Sequence, residues 1–133
     1  MQVVIFKLKD EQFAVETSRV QTISEAMTIT KVPKAPDYVK GLINLRGSVL
    51  SLLDINLLLN LGENDSKQES TIILKLEDEL VGVAVDQVDE VLEVDEEIIE
   101  EIQDDKKEPY IKGIINFKDR IVTYIDIDKL LTR

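Results

Sequence analysis

An all-β fold made of two tandem copies of one small barrel is the class this sequence predicts, and three observations carry the prediction. Residues 38–59, YVKGLINLRGSVLSLLDINLLL, return 72 positions later as YIKGIINFKDRIVTYIDIDKLL at 110–131, with no gap. Upstream, FKLKDEQFAVETSRVQTI at 6–23 aligns with LKLEDELVGVAVDQVDEV at 74–91, an offset of 68. Finally, each half reads as about five short Val-, Ile- and Leu-rich runs separated by turn residues, the pattern of a small closed barrel. A fixed internal period marks a duplicated architecture.

The elements follow in order. Val3–Leu8 is a β-branched and aromatic run, Lys9–Gln12 turns it, and Phe13–Val15 returns as the second strand of a hairpin. The second copy repeats this with Thr71–Leu76, the turn Glu77–Glu79 and Leu80–Val85. Val20–Ile23 and Val88–Leu92 follow as short strands or bends. Pro33 and Pro36 then break regular structure, because each removes a donor and restrains its predecessor. Asp37 is placed to cap a helical turn at Tyr38–Lys40 that Gly41 ends. Asp104–Pro109 punctuates the second copy in the same place.

Leu42–Leu45 and Val49–Leu53 form a hairpin with Gly47 at its tip, and their nearly continuous apolar character implies cover on both faces. Asp54 before Ile55–Leu61 and Asp126 before Ile127–Leu131 are N-cap signals, so each copy ends in a short helical turn. The polar stretch Gly62–Ser70 is the natural boundary, giving a first barrel subdomain over 1–65 and a second over 66–133. Units of about 65 residues have thin cores and are expected to pack on one another. A terminal strand can close the other copy's sheet, and Met1–Val4 is the segment expected to pair with the second barrel.

Composition narrows the function. Sixteen Lys and Arg against 27 Asp and Glu leave a formal net charge of −11, opposite to what nucleic acid or an anionic membrane surface attracts. Protein partners, with basic patches of their own, fit better. Cysteine and histidine are absent, which removes disulfides, thiolate chemistry and the commonest general base and metal ligand. The N-terminus has no signal-peptide pattern and no run approaches about 18 apolar residues, so a reducing cytoplasm is the expected setting.

Phosphate-binding, nucleophile-elbow and dinucleotide fingerprints are missing. The repeat-related pair Asp54 and Asp126 is the candidate for carboxylate chemistry, a small acidic hydrolase being the competing reading, although both stand where a helix needs a cap. Ten carboxylates fall between Asp89 and Asp105, threaded by Val91, Val94, Ile98, Ile99 and Ile102. Without a calcium-loop pattern they read as a solvated face, or as a steering surface for a basic partner, and not as a metal site. Arg46 is the more distinctive residue. It precedes the turn glycine Gly47, where the second copy has Lys118 and Asp119, and it can act as a forked donor toward a partner's carboxylate or carbonyls. Gly41 and Gly82 have a plainer reading, each either ending a turn or allowing close strand packing.

The stretch VPKAPDYVKGLINLRGSVLSLLDI at 32–55, with VGVAVDQVDEV at 81–91, closely resembles the signature of the CheW family of bacterial chemotaxis coupling proteins. The likeness runs along essentially the whole chain. The domain also occurs inside the kinase CheA and in CheV proteins, but this chain is too short to add a kinase core or receiver domain, which favours a stand-alone coupler. The resemblance implies two five-stranded SH3-like barrels with a groove between them. It implies a non-catalytic, cofactor-free cytoplasmic adaptor, monomeric alone and part of arrays with its partners. Those partners are the chemoreceptor's cytoplasmic hairpin tip and the regulatory domain of the histidine kinase CheA; an adaptor of a non-chemotaxis kinase pathway is the alternative. By motif, the receptor-facing residues are Val20, Gly41, Arg46, Gly82, Val88 and Val91, and the kinase-facing ones Ile29 and Val32. Many members carry a glutamate at the position of Thr22, able to pair with the motif arginine. Here Glu25 and Glu16 are the alternative partners, or Arg46 stays free.

Overall fold

In a computed structural model, the described residues are 1–61, 68–101 and 108–131. They form β1 (Gln2–Leu8), β2 (Glu11–Glu16), β3 (Val20–Glu25), β4 (Val39–Leu45), β5 (Ser48–Leu53) and α1 (Ile55–Leu58) in the first copy. The second contains β6 (Ser70–Lys75), β7 (Leu80–Val85), β8 (Gln87–Glu93), β9 (Ile99–Glu100), β10 (Ile111–Asn116), β11 (Ile121–Ile125) and α2 (Ile127–Leu131). Most of the polar boundary, with Ile102 and the start of the Asp104–Pro109 stretch, lies outside the described residues.

Hydrogen bonding partitions these strands differently from chain order. A six-stranded sheet runs β8-β1-β2-β11-β10-β9, and a five-stranded sheet runs β3-β6-β7-β5-β4. The opening hairpin of each copy therefore sits in the sheet of the other. The expected division at 65/66 follows the order of the copies, whereas each sheet draws strands from both sides of it. Met1–Val4 joins the later strands together with all of β1 and β2: Val3 pairs with Leu92 and Val4 with Val91. The registers repeat across the exchange. Ile5 opposite Glu90 matches Ile73 opposite Thr22, and Thr123 opposite Phe13 matches Ser51 opposite Val81. An approximate two-fold relation thus exchanges the copies.

Alternation along the strands explains the unbroken apolar runs. Val4, Phe6 and Leu8 of β1 and Ile72 and Leu74 of β6 enter one cluster shared by both sheets, with Val81, Val83, Leu53, Ile125 and Tyr110. The opposite faces fill a separate cluster in each barrel: Val3, Ile5, Ala14, Ile115 and Tyr124 in one, Ile43, Leu50, Leu52, Ile73 and Ala84 in the other. A strand covered on both sides has no polar face to show. Phe6 and Phe13 stack in the shared cluster with ring centroids 5.9 Å apart.

Both aspartate caps form. The Asp54 carboxylate accepts from the N–H groups of Asn56 and Leu57 at 3.0 and 3.4 Å, and the Asp126 carboxylate from that of Lys129 at 3.2 Å. Their own N–H groups bond to the carbonyls of Tyr38 and Tyr110, which is what the repeated tyrosine-to-aspartate segment builds. The expected helical turn at Tyr38–Lys40 is instead one reverse turn, closed by Val39 N–H on Pro36 C=O at 2.9 Å, after which β4 begins. Val39 is drawn into the ladder opposite Leu53, so the chain extends through Gly41 and does not coil.

Candidate protein-interaction site

β3 and β8 are repeat-related edge strands, each paired with one neighbour. Each is bulged at its second or third residue. Val20 faces Leu74 and Thr22 faces Ile73, leaving Gln21 extra; Val88 faces Phe6 and Glu90 faces Ile5, leaving Asp89 extra. A bulge shifts strand parity by one. Residues three apart therefore point the same way: Val20 with Ile23, and Val88 with Val91. Their cross-strand partners Leu74, Ile72, Phe6 and Val4 all belong to the shared cluster, so both edges turn a β-branched pair toward one apolar floor. Val20 and Val88 pack on it, while Ile23 and Val91 remain 38% and 51% exposed.

The structure turns Val20, Val88 and Val91 toward the side of the shared cluster in this way and adds Ile23, which the sequence reading passed over. The signal was present, because Ile23 is the repeat counterpart of Val91. Val88 is half-buried against the core, so a lysine there disturbs packing as well as surface, and the exposed Val91 is the cleaner probe.

Arg46 flanks the strip and does not line it. It holds φ +52° and Gly47 φ +90°, positive values at both central positions of a two-residue hairpin turn between Leu45 and Ser48. The left-handed arginine costs roughly 1 kcal/mol, against which the Asn44 side chain accepts the Gly47 N–H at 2.9 Å. This turn projects the guanidinium beside Gln21, Thr22, Leu45, Ser48 and Leu80, around a cavity of about 250 Å³ on the barrel face of β3. Arg46 makes no ion pair within 4 Å among the described residues. Glu16 is occupied elsewhere, accepting from Tyr124 Oη and from Ser18 Oγ at 3.1 Å, and lying 3.5 Å from Lys112 Nζ. The Tyr124 bond, foremost, holds its carboxyl below the usual range, while burial and that same bond push the Tyr124 hydroxyl up.

The second barrel's mouth is built otherwise. Arg120 ion-pairs with Glu90 and lies 5.2 Å over the Phe117 ring, and Gln12 donates to Asp89 at 2.6 Å. In the first copy the matching positions are Ser48, Thr22, Leu80 and Gln21, which form neither contact. One mouth pairs its arginine within the barrel, beside a cavity of about 620 Å³ lined by Gln12, Asp119, Arg120 and Ile121, while at the other Arg46 has no ion pair among the described residues.

The two glycines are packing positions. A Cβ on Gly41 would lie 2.4 Å from the Thr30 carbonyl oxygen and 2.7 Å from Ile29 Cγ2, and one on Gly82 would meet Ile43, Leu52 and Ile73 methyls at 2.9–3.4 Å. Gly41 thus stands beside Ile29 at the far edge of the five-stranded sheet, where Thr30 bridges to Leu42. Ile29 and Val32 are each 39% exposed at that edge, across the sheet from β3. Asp54 and Asp126 cap separate helices, and none of the main cavities among the described residues is lined by both. No cluster of three potential metal ligands and no helix long and apolar enough to cross a membrane occurs among the described residues.

Comparison with known proteins agrees with the whole-chain likeness. The CheW-like domain family matches residues 2–133. The chemotaxis protein CheW of Thermotoga maritima is 30% identical over 131 residues, covering 98% of this chain and 87% of that protein. Its Bacillus subtilis namesake is 30% identical over 135 residues, covering 98% and 86%. The crystal structure of the scaffolding protein TtCheW from Thermoanaerobacter tengcongensis superposes with a TM-score of 0.87 at 26% identity, spanning 99% of this chain and 92% of that one.

Proposed function

The chain belongs to the CheW-like family, and on that premise we propose that it is the cytoplasmic chemotaxis adaptor that couples a chemoreceptor's helical hairpin tip to the regulatory domain of CheA. The observation that carries this reading is the strip made by Val20, Ile23, Val88 and Val91 over a shared apolar floor. Its β-branched walls suit the ridge of an amphipathic helix, a helix-in-groove mode. Arg46 sits at one side as a charge-assisted donor that fixes register. Ile29 and Val32, exposed at the far edge of the same sheet, are the residues offered to the kinase, so both partners can be held at once. Function then consists of holding two proteins in a fixed relation, with Asp54 and Asp126 left to cap helices.

The test is a calorimetric titration with a soluble receptor cytoplasmic hairpin. Ile23→Lys or Val91→Lys should each weaken binding about tenfold or more, because an apolar contact is lost and a charge meets a desolvated surface. Thermal unfolding should barely move, since both side chains are exposed in the free protein. Wild-type affinity in both variants would refute the site.

A further inference from the structure

We infer that the strip between β3 and β8 has nearly the same shape in two opposite directions, and that its charges alone decide which way round an amphipathic helical ridge lies in it. This rests on the reading of the strip as the partner-binding groove.

The two-fold relation that exchanges the copies also exchanges the walls. Val20 matches Val88, Ile23 matches Val91, and the bulged Gln21 matches the bulged Asp89. The floor is exchanged likewise, Leu74 and Ile72 for Phe6 and Val4. Apolar contact is non-directional, so a ridge turned end for end meets a similar apolar surface, with Phe6 and Val4 in place of Leu74 and Ile72. Burial gives affinity here and leaves orientation undecided.

The charges do not share the symmetry. Beside β3 stands Arg46, without an ion pair among the described residues, and the strand itself carries one acid, Glu25. β8 carries Asp89, Glu90 and Glu93, and no positive charge. Glu90 is answered by Arg120 and Glu93 by the Met1 ammonium at 2.7 Å, whereas among the described residues Asp89 receives only neutral amide donors, from Gln12 and Gln87. Lys118 replaces Arg46 in the second copy, followed by Asp119 where the first has glycine. The walls thus differ in sign: the guanidinium of Arg46 on the β3 side, the carboxylate of Asp89 on the β8 side. The occupant this fits is a helix with a carboxylate on the flank beside Arg46 and a basic side chain on the flank beside Asp89. A tenfold preference for one orientation needs about 1.4 kcal/mol, which one charge-assisted hydrogen bond supplies.

The test uses a soluble receptor hairpin carrying a nitroxide on one side of its tip, with paramagnetic broadening read at the amides of β3 and β8. Wild type should broaden one wall only. Arg46→Gln should weaken binding about tenfold and broaden both walls, as should wild type in about 0.5 M salt, where screening falls to a few ångströms. Arg46→Glu combined with Asp89→Lys should move the broadening to the other wall. Broadening that stays on one wall in the neutral and reversed variants, or that is even in wild type at low salt, overturns the inference while leaving the groove. Failure of the wild-type hairpin to bind overturns the groove and the inference together. Arg46 is exposed, so the single variant is informative even if the double variant does not fold.

Discussion

Replacing Gly41 with alanine separates a structural glycine from a binding one. The added methyl would lie 2.4 Å from the Thr30 carbonyl oxygen and 3.0 Å from its carbonyl carbon, and backbone cannot swing aside as a side chain can. Relief requires β4 to part from the 29–30 segment, straining the two bridge hydrogen bonds between Thr30 and Leu42, at 2.7 and 2.9 Å. Overpacking of this kind costs about 1–3 kcal/mol. The φ of +154° adds about 1 kcal/mol or more, since L-residues rarely adopt it. A loss of about 3 kcal/mol is expected, with a fall in Tm of roughly 10 °C, from a stability that for such domains is about 5–15 kcal/mol. Gly82→Ala meets only flexible methyl ends at 2.9–3.4 Å and should lose about 1 kcal/mol. Urea unfolding followed by circular dichroism measures both. A Gly41→Ala protein within 0.5 kcal/mol of wild type would refute the reasoning and return Gly41 to the contact surface. If the reasoning holds, any loss of receptor binding in that variant tracks its unfolding, whereas loss in Arg46→Ala does not.

Three further outcomes are expected. Glu16 titrates lower in the folded protein than its ordinary 4.5, so its stabilisation is present above that value and is lost as pH falls through the folded one. Tyr124 titrates higher, so its contribution is intact below pH 10 and is lost as pH rises toward the folded value. Tyr124→Phe should cost about 1 kcal/mol and return Glu16 toward the ordinary carboxylate range, as followed by carboxyl-carbon NMR; an unmoved Glu16 would show that Tyr124 is not what holds it low. Asn56 is buried with its side-chain amide unpartnered among the described residues, so Asn56→Leu, of similar volume, should gain about 1 kcal/mol in urea unfolding, and a loss would reveal a missed partner. Ile29→Glu should weaken binding to the CheA regulatory domain more than to the receptor hairpin, and equal losses would place the kinase surface elsewhere.

The repeat, read as sequence alone, determined the duplicated all-β architecture, the hairpins, the caps at Asp54 and Asp126 and the likeness that covers the chain. Those features are local: alternation, turn chemistry and capping are set by residues a few positions apart, and each was written twice. What the sequence left open depended on partners distant along the chain. Whether β1 pairs with β8 is decided by which exchange buries both faces of every central strand, and no local pattern encodes that choice. The bulges at Gln21 and Asp89 likewise arise from pairing, and they alone turn Ile23 and Val91 to the same side as Val20 and Val88. Gly41 looked like a contact residue beside Arg46 in the motif, but the fold sets it under the Thr30 carbonyl. Arg46 was legible as a donor; that it has no ion pair among the described residues, while Glu90, the repeat counterpart of Thr22, pairs with Arg120 in the other barrel, follows only from where Glu16, Thr22, Glu90 and Arg120 come to rest. Local sequence fixes strand and turn because their geometry repeats over two to four residues. The tertiary structure decides the site because charge and burial depend on neighbours that only folding supplies.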